Sequence, residues 1–386
     1  MPFQTKAVLL HPKLISDPLA QLVEHNTFNV GVLGSSPKRI TCKDFLEVLV
    51  CFFVQAKVLL YICSCRGFPV PFTLKNRTTM NIVCNIDNNY VRHCAVMLTS
   101  LLENNKTEDI HIFIIADDLT EGSQEALADI VEGTYRQQLS FINADHTILD
   151  NCPIKQDSYI SLSTYYRCFI ASLLPQKVEK VIYLDCDLIV IGCLKELWNT
   201  PINEYALGAV EDMWSTRGHC HRLAYPEEDS YFNAGVLLVN LKYWRKHHIE
   251  EEISQYISEH ANILKYNDQD ALNGVLHHRK QFINFRWNMQ NGFYKKKRSL
   301  RPSSEPALDK EMPHAVIIHF TSSRKPWHDA CVHPYKKLYI KYLDMTIWKG
   351  ERPPIDWRSR ISRLFYPISG WMGWKNNYRK VQLPRI

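Results

Sequence analysis

From Met80 onward, apolar runs of strand length alternate with stretches of helical spacing. NIVCNID opens the pattern with a strand over 81 to 86. The residues behind it place Val91, Cys94, Ala95, Leu98, Leu101 and Leu102 on one face of a helix that runs to about Glu103. IHIFIIAD (110 to 117) and QLSFINA (138 to 144) predict two further strands, Ser163 to Leu174 a helix, and VIYLDCDLIV (181 to 190) and ALGAVED (206 to 212) two more strands. YFNAGVLLVNLKYWRKHHI (231 to 249) reads as a strand running into a helix. Alternating strands and helices predict an α/β fold: a doubly wound, mostly parallel twisted sheet flanked by helices, joined by right-handed crossovers. No linker interrupts 80 to 345, so this span is expected to be one domain.

Within the apolar run VIYLDCDLIV stand two carboxylates, Asp185 and Asp187. Buried and unpaired, each would cost several kcal/mol. Positions i and i+2 of a strand point the same way, so the two acids are expected side by side at its C-terminal end, with Cys186 facing the other side. Open α/β sheets carry their ligand crevice at that end. Such a pair suits a divalent cation, and a strand end reaching water with two solvated acids is the other reading.

Composition narrows the class. The chain has 386 residues, 46% hydrophobic and 22% charged, enough for one large domain plus additions. A formal charge of +6 hints at an anionic partner without the concentrated basic stripe of a nucleic-acid binder. The 12 cysteines show no paired CxxC spacing, and Cys84, Cys168, Cys186 and Cys193 lie in apolar runs as small hydrophobes, which favours a reducing compartment.

Residues 1 to 79 read differently. AQLVEHNTFNVGVLGSSPKRIT (20 to 41) has no sustained periodicity and resembles the spurious translation of a transfer-RNA gene, whose T-arm reads Gly-Ser-Ser-Pro, here Gly34 to Pro37. Residues 1 to 79 are therefore expected to be an over-extended gene start, spurious or disordered, with the true start at Met80. The opposing feature is Phe45 to Cys63, long enough to be a signal anchor. Against an anchor stand Glu47 and the central Lys57, each charge costing roughly 2.5 to 3.5 kcal/mol at mid-membrane.

NIVCNIDNNY, STYYR, YLDCDLIV, ALGAVEDMW, YFNAGVLLVNLKYW, NDQDALNG and HFTSSRKPWH occur in the order and approximate spacing of glycosyltransferase family 8. On these seven motifs the chain resembles that family over about 80 to 330. The resemblance implies a single nucleotide-sugar-binding domain of the GT-A type and transfer of a hexose, glucose or galactose, from a UDP-sugar to a glycan or lipid-linked saccharide, as in lipopolysaccharide synthesis. It further implies that Asp185, Asp187 and His319 hold manganese, with magnesium as the alternative. The matching positions put Asp87 and Asn89 on uracil and ribose, Arg167 near the diphosphate, Lys325 on the diphosphate, and Asp212, Asn233, Asp268 and Gln269 around the donor sugar. Gly235, in YFNAG, allows close backbone approach to a ligand.

The family is retaining. Double displacement needs a carboxylate nucleophile at the anomeric carbon, yet Gln269 matches the nearest position and an amide is a poor nucleophile. Same-face chemistry, with the departing UDP oxygen deprotonating the acceptor, is the favoured reading, and Asp268 or Asp212 acting covalently is the alternative. One departure stands out: Ser322 occupies a position where the family usually carries glycine.

The segment 346 to 386 mixes Trp348, Trp357, Trp371 and Trp374 with Arg352, Arg358, Arg360, Arg363, Lys375, Arg379 and Lys380. This composition suits an anionic membrane surface rather than nucleic acid, and resembles the tails of bacterial family members that act on lipid-linked acceptors. It predicts a cytoplasmic protein, peripheral on the inner face of a bacterial plasma membrane. Two rival functions are a phosphatase of the haloacid dehalogenase type, whose Asp-x-Asp signature VIYLDCDLIV mimics, and a non-catalytic sugar-nucleotide or membrane binder.

Overall fold

The computed structural model describes residues 28–30, 38–40, 79–150, 152–153, 162–352 and 378–379. The chain divides into two compact units, Met1–Asn76 and Arg77–Ile386. In the first, strands β1 (Phe28–Val30) and β2 (Lys38–Ile40) pair antiparallel, inside a stretch whose sequence carries no strand periodicity. The rest of that segment, including the span from Phe45 to Cys63, lies outside the described residues, and with it the expectation of an over-extended start.

The second unit is built on a seven-stranded sheet. Its strands are β3 (Met80–Asp87), β4 (Ile110–Asp117), β5 (Gln138–Asn143), β6 (Lys180–Leu184), β8 (Leu207–Glu211), β9 (Phe232–Asn240) and β10 (Lys280–Phe282), in the order β10-β8-β9-β6-β3-β4-β5. All neighbours pair parallel except those of β9, which runs antiparallel to both β6 and β8. A three-stranded sheet, β11-β12-β7, is formed by β7 (Leu188–Val190), β11 (Met289–Gln290) and β12 (Ile317–His319).

The apolar runs follow from burial on both faces. Along β3, Ile82, Cys84 and Ile86 enter one core, and Val83 between them enters the other. The first core is closed by helix α1 (Val91–Glu103) and the second by α2 (Leu241–Lys246), α3 (Ile249–His260) and α4 (Asn267–Leu276). Helix α3 buries Ile249, Ile253 and Ile257, one residue per turn. Full burial contributes about 1.5–3 kcal/mol for each such side chain, against roughly 0.3–1 kcal/mol for each acid in its first turn, so packing holds this helix in place.

Two elements differ from expectation. The run 181 to 190 is not one strand: β6 stops at Leu184, the chain turns through Asp185, Cys186 and Asp187, and β7 continues in the other sheet. The turn is fixed because Asp185 N–H donates to Gly235 O at 2.9 Å, while Asp187 O accepts from Phe320 N–H at 2.9 Å. The expected helix from Ser163 is a 3₁₀ turn over Leu162–Phe169 followed by a single α-turn, Ile170–Leu173. Arg167 points inward and its Nε donates to Thr164 O at 3.2 Å, a side-chain bond that competes with the regular helical ladder.

All eight cysteines among the described residues are free, and seven are buried; Cys193 is exposed, contrary to its reading as a core residue. Of the segment 346 to 386, residues 353–377 and 380–386 lie outside the described residues. Tyr378 bridges to Lys295, and Arg379 N–H donates to Tyr294 O at 2.7 Å, so these two residues sit on the domain.

Candidate active site

The carboxyl ends of the parallel strands open into a cleft of about 830 Å³. Asp87 ends β3, Asp185 follows β6, Asp212 follows β8 and His319 ends β12. Because β9 is antiparallel, its amino end, with Asn233 and Gly235, reaches the same edge. Asp268 and Gln269 come from the first turn of α4.

One ligand atom from each of Asp185, Asp187 and His319 lies within 4.8 Å of the others. His319 Nε2 is 3.0 Å from Asp187 Oδ1 and 3.7 Å from Asp185 Oδ2. The orientation of the imidazole is set from behind. Asn288 Nδ2 donates to Asn233 Oδ1 at 2.8 Å, so Asn288 Oδ1 faces His319 Nδ1, 3.0 Å away, and accepts its proton. Nε2 then carries a lone pair aimed at two carboxylates. Asp187 Oδ1 is buried and has no hydrogen-bond partner. Converging lone pairs with an orphaned carboxylate oxygen fit a hard divalent cation, and carboxylates plus one imidazole are its donor set. Gly235 makes room for this corner, since a Cβ there would lie 2.5 Å from Asp185 Oδ2 and closer still to the His319 ring. Glycine here lets side chains of the protein itself approach the backbone.

Cations flank the corner. Arg167, buried, reaches Asp185 Oδ1 with Nη2 at 2.9 Å and Asp268 Oδ2 with Nε at 2.9 Å, and donates to Ala234 O at 3.0 Å. Lys325 Nζ bonds Asp187 Oδ2, and Phe320 O at 2.8 Å. Burial alone would raise the Asp187 carboxyl, but the Lys325 ammonium holds it well below the usual carboxylate range. Asp268 behaves oppositely: burial pushes it up to about 6 despite Arg167. Burial also raises Asp212, against bonds from Trp214 N–H, Asn233 and Gln269.

The Gln269 carboxamide is bonded at both ends. Its oxygen accepts from Ala234 N–H at 3.0 Å and Asn233 Nδ2 at 3.1 Å, while its nitrogen donates to Asp212 Oδ2 at 3.3 Å. With both lone pairs of the oxygen in use, this amide is held as a fixed dipole.

The cleft brings together all eleven residues singled out from the sequence: Asp87, Asn89, Arg167, Asp185, Asp187, Asp212, Asn233, Asp268, Gln269, His319 and Lys325. Ser322 lines it too, with its Oγ accepting from Asn291 Nδ2 at 2.9 Å. Sequence reasoning missed Asn288, which is fully buried, and the aromatic wall of Trp214, His219, Tyr231 and Tyr266. The available signal was FRWNMQN, where amides alternate with apolar residues that belong in a core.

The sheet order, the antiparallel β9 and a metal-suited corner at the carboxyl edge define a glycosyltransferase of the GT-A type. The profile of "Glycosyl transferase family 8" matches residues 81–331, and the chain belongs to glycosyltransferase family 8. General stress protein A of Bacillus subtilis is 29% identical, covering 70% of this chain and 94% of that one. The lipopolysaccharide 1,2-glucosyltransferase of Escherichia coli K12 is 29% identical, covering 76% and 88%. Among solved structures, the galactosyltransferase LgtC in complex with donor and acceptor sugar analogs superposes with a TM-score of 0.64 at 27% identity, covering 73% of this chain and 100% of that one. An active-site glutamine-to-glutamate mutant of LgtC gives the same score at 26% identity, with the same coverage.

Proposed function

We propose that the protein is a retaining, divalent-cation-dependent hexosyltransferase that moves glucose or galactose from a UDP-sugar to a glycan or lipid-linked saccharide, in lipopolysaccharide or other surface-polysaccharide synthesis. The observation that carries this reading is the cation corner of Asp185, Asp187 and His319 with its orphaned Asp187 oxygen, set in a cleft of about 830 Å³. Manganese, or magnesium, held by these three would offset the charge of the diphosphate and of the departing UDP.

The chain's own groups divide the remaining work. Asp87 and Asn89 sit at the β3 end, where uracil and ribose would bind. Lys325 brings a point charge with three donors to the diphosphate. Arg167 fixes Asp185 and Asp268 in one geometry. Among the described residues, Gln269 is the only glutamine lining the cleft, which links it to the active-site glutamine of LgtC. An amide whose oxygen already accepts two bonds is a poor nucleophile. Same-face transfer follows, with Asp268 and Asp212 as the carboxylates available for the covalent alternative.

The family assignment replaces the phosphatase reading. A non-catalytic binder is separated by experiment: purified protein with Mn²⁺ and a panel of UDP-sugars should release UDP, and absence of release from every sugar would leave only binding. We further propose that the protein is cytoplasmic and peripheral on the inner face of the plasma membrane, held by 346–386 behind a catalytic domain at 80–345. Removing 347–386 should abolish salt-sensitive binding to anionic vesicles, and binding that survives truncation refutes the membrane role.

A further inference from the structure

Three buried thiols meet behind the carboxylate turn. Cys84 lies on β3, Cys94 on α1 and Cys186 between Asp185 and Asp187, and their sulfurs all lie within 4.8 Å of one another. The Cys84 and Cys94 sulfurs are 3.9 Å apart. Three sulfurs held about 2.3 Å from one ion in a trigonal plane stand ~4.0 Å from each other, so this spacing already matches a shared ion. Cys152, Cys168, Cys220 and Cys331 are buried too, but among the described residues none of them joins a group of three ligands. A cysteine that serves as a small hydrophobe fills space and needs no other sulfur beside it, so packing alone does not account for sulfurs converging from three elements. The group is also reachable, because Cys186 lines the cleft.

We propose that Cys84, Cys94 and Cys186 form a tris-thiolate site for a soft cation of the Zn²⁺ or Cu⁺ type, separate from the carboxylate corner. Thiolates select such ions, whereas carboxylates suit Mn²⁺ or Mg²⁺. The turn from Asp185 to Asp187 then offers carboxylates to a hard ion and, through Cys186 in the apolar core beneath, a thiolate to a soft one. Each metal–sulfur bond forms as the thiol proton leaves to solvent. Cys94 closes the first turn of α1, the end of a helix that favours the negative charge of a thiolate. This site lies beyond the transfer reaction and does not depend on it.

Cd²⁺, a soft cation with a thiolate charge-transfer band in the ultraviolet, tests the site when titrated into the reduced protein. Oxygen and nitrogen ligands give no such band, so it reports sulfur alone and not the carboxylate corner. The wild type should bind Cd²⁺ with the intensity of three cadmium–sulfur bonds. Cys94→Ala, outside the transfer machinery, should weaken that binding by at least about a hundredfold, roughly the share of one ligand in a structural zinc site. Cys84→Ala should do the same, so that a folding defect in one variant does not decide the result. Cys193→Ala, at an exposed thiol, should leave the band unchanged. A wild type without the band, a band that Cys94→Ala or Cys84→Ala keeps at wild-type affinity, or one that Cys193→Ala abolishes overturns the site.

Discussion

Two clusters at the carboxyl edge of the sheet contain the same residue types, two aspartates and one histidine, and differ in everything around them. Asp117 ends β4, Asp118 follows it and His146 opens a 3₁₀ turn; the Asp118 and His146 side chains are 89% and 58% exposed, and each histidine nitrogen stands 3.5 Å from a carboxylate. Asp185, Asp187 and His319 lie at a corner between two sheets, with the His319 side chain 3% exposed. Only the second cluster has an amide fixing the imidazole from behind, two flanking cations and a buried carboxylate oxygen left open. Ligand count alone does not make a metal site. Burial keeps competing water out, and the surrounding bonds hold the lone pairs converged before an ion arrives.

The sharpest way to break this contrast is Asp187→Asn, which preserves shape and removes charge. It should lower Mn²⁺-dependent UDP release by at least about a hundredfold while the protein remains folded. Full activity of the variant in chelator would show that the corner holds no functional cation.

Asn288→Leu leaves all three candidate ligands in place and removes the group that orients His319, together with its bond to Asn233. Mn²⁺ affinity, followed by the electron paramagnetic resonance of free Mn²⁺, should fall about 10–100-fold. An unchanged affinity would mean that the imidazole is held by packing alone.

Asp268 sharpens the electrostatic side of the comparison, since it shares Arg167 with Asp185. Its folded value of about 6 lies above the unfolded value near ~3.9, so folding takes up a proton between these values. Its contribution therefore favours the fold at acid pH and is lost as pH rises through about 6. Relative to wild type, Asp268→Asn should gain up to about 3 kcal/mol in urea unfolding between pH ~4 and ~7. A gap that does not change with pH would contradict the raised value. The smallest effect is expected in the exposed cluster, where Asp118→Asn should change UDP release by less than about twofold. A large loss there would make the two clusters functionally alike.

Most of the polar cleft residues were legible only through the resemblance of their motifs to glycosyltransferase family 8; by local pattern alone the sequence determined the strands from β3 to β6, the strand run of YFNAGVLLVN and the two carboxylates of VIYLDCDLIV. Each of these is local: strand runs show in the period of apolar residues, and a carboxylate inside an apolar run is conspicuous because burial penalises it. The tertiary structure decided what local pattern does not encode. Asp185 and Asp187 meet on a turn between two sheets rather than on one strand, because the turn is closed by Gly235 and Phe320, far away in the chain. Arg167 breaks its expected helix to reach acids on two other elements. Asn288 has no sequence signature of its own. Its role exists only because His319 and Asn233 arrive on either side of it, from 31 and 55 residues away, and hydrogen-bond direction is a property of that meeting.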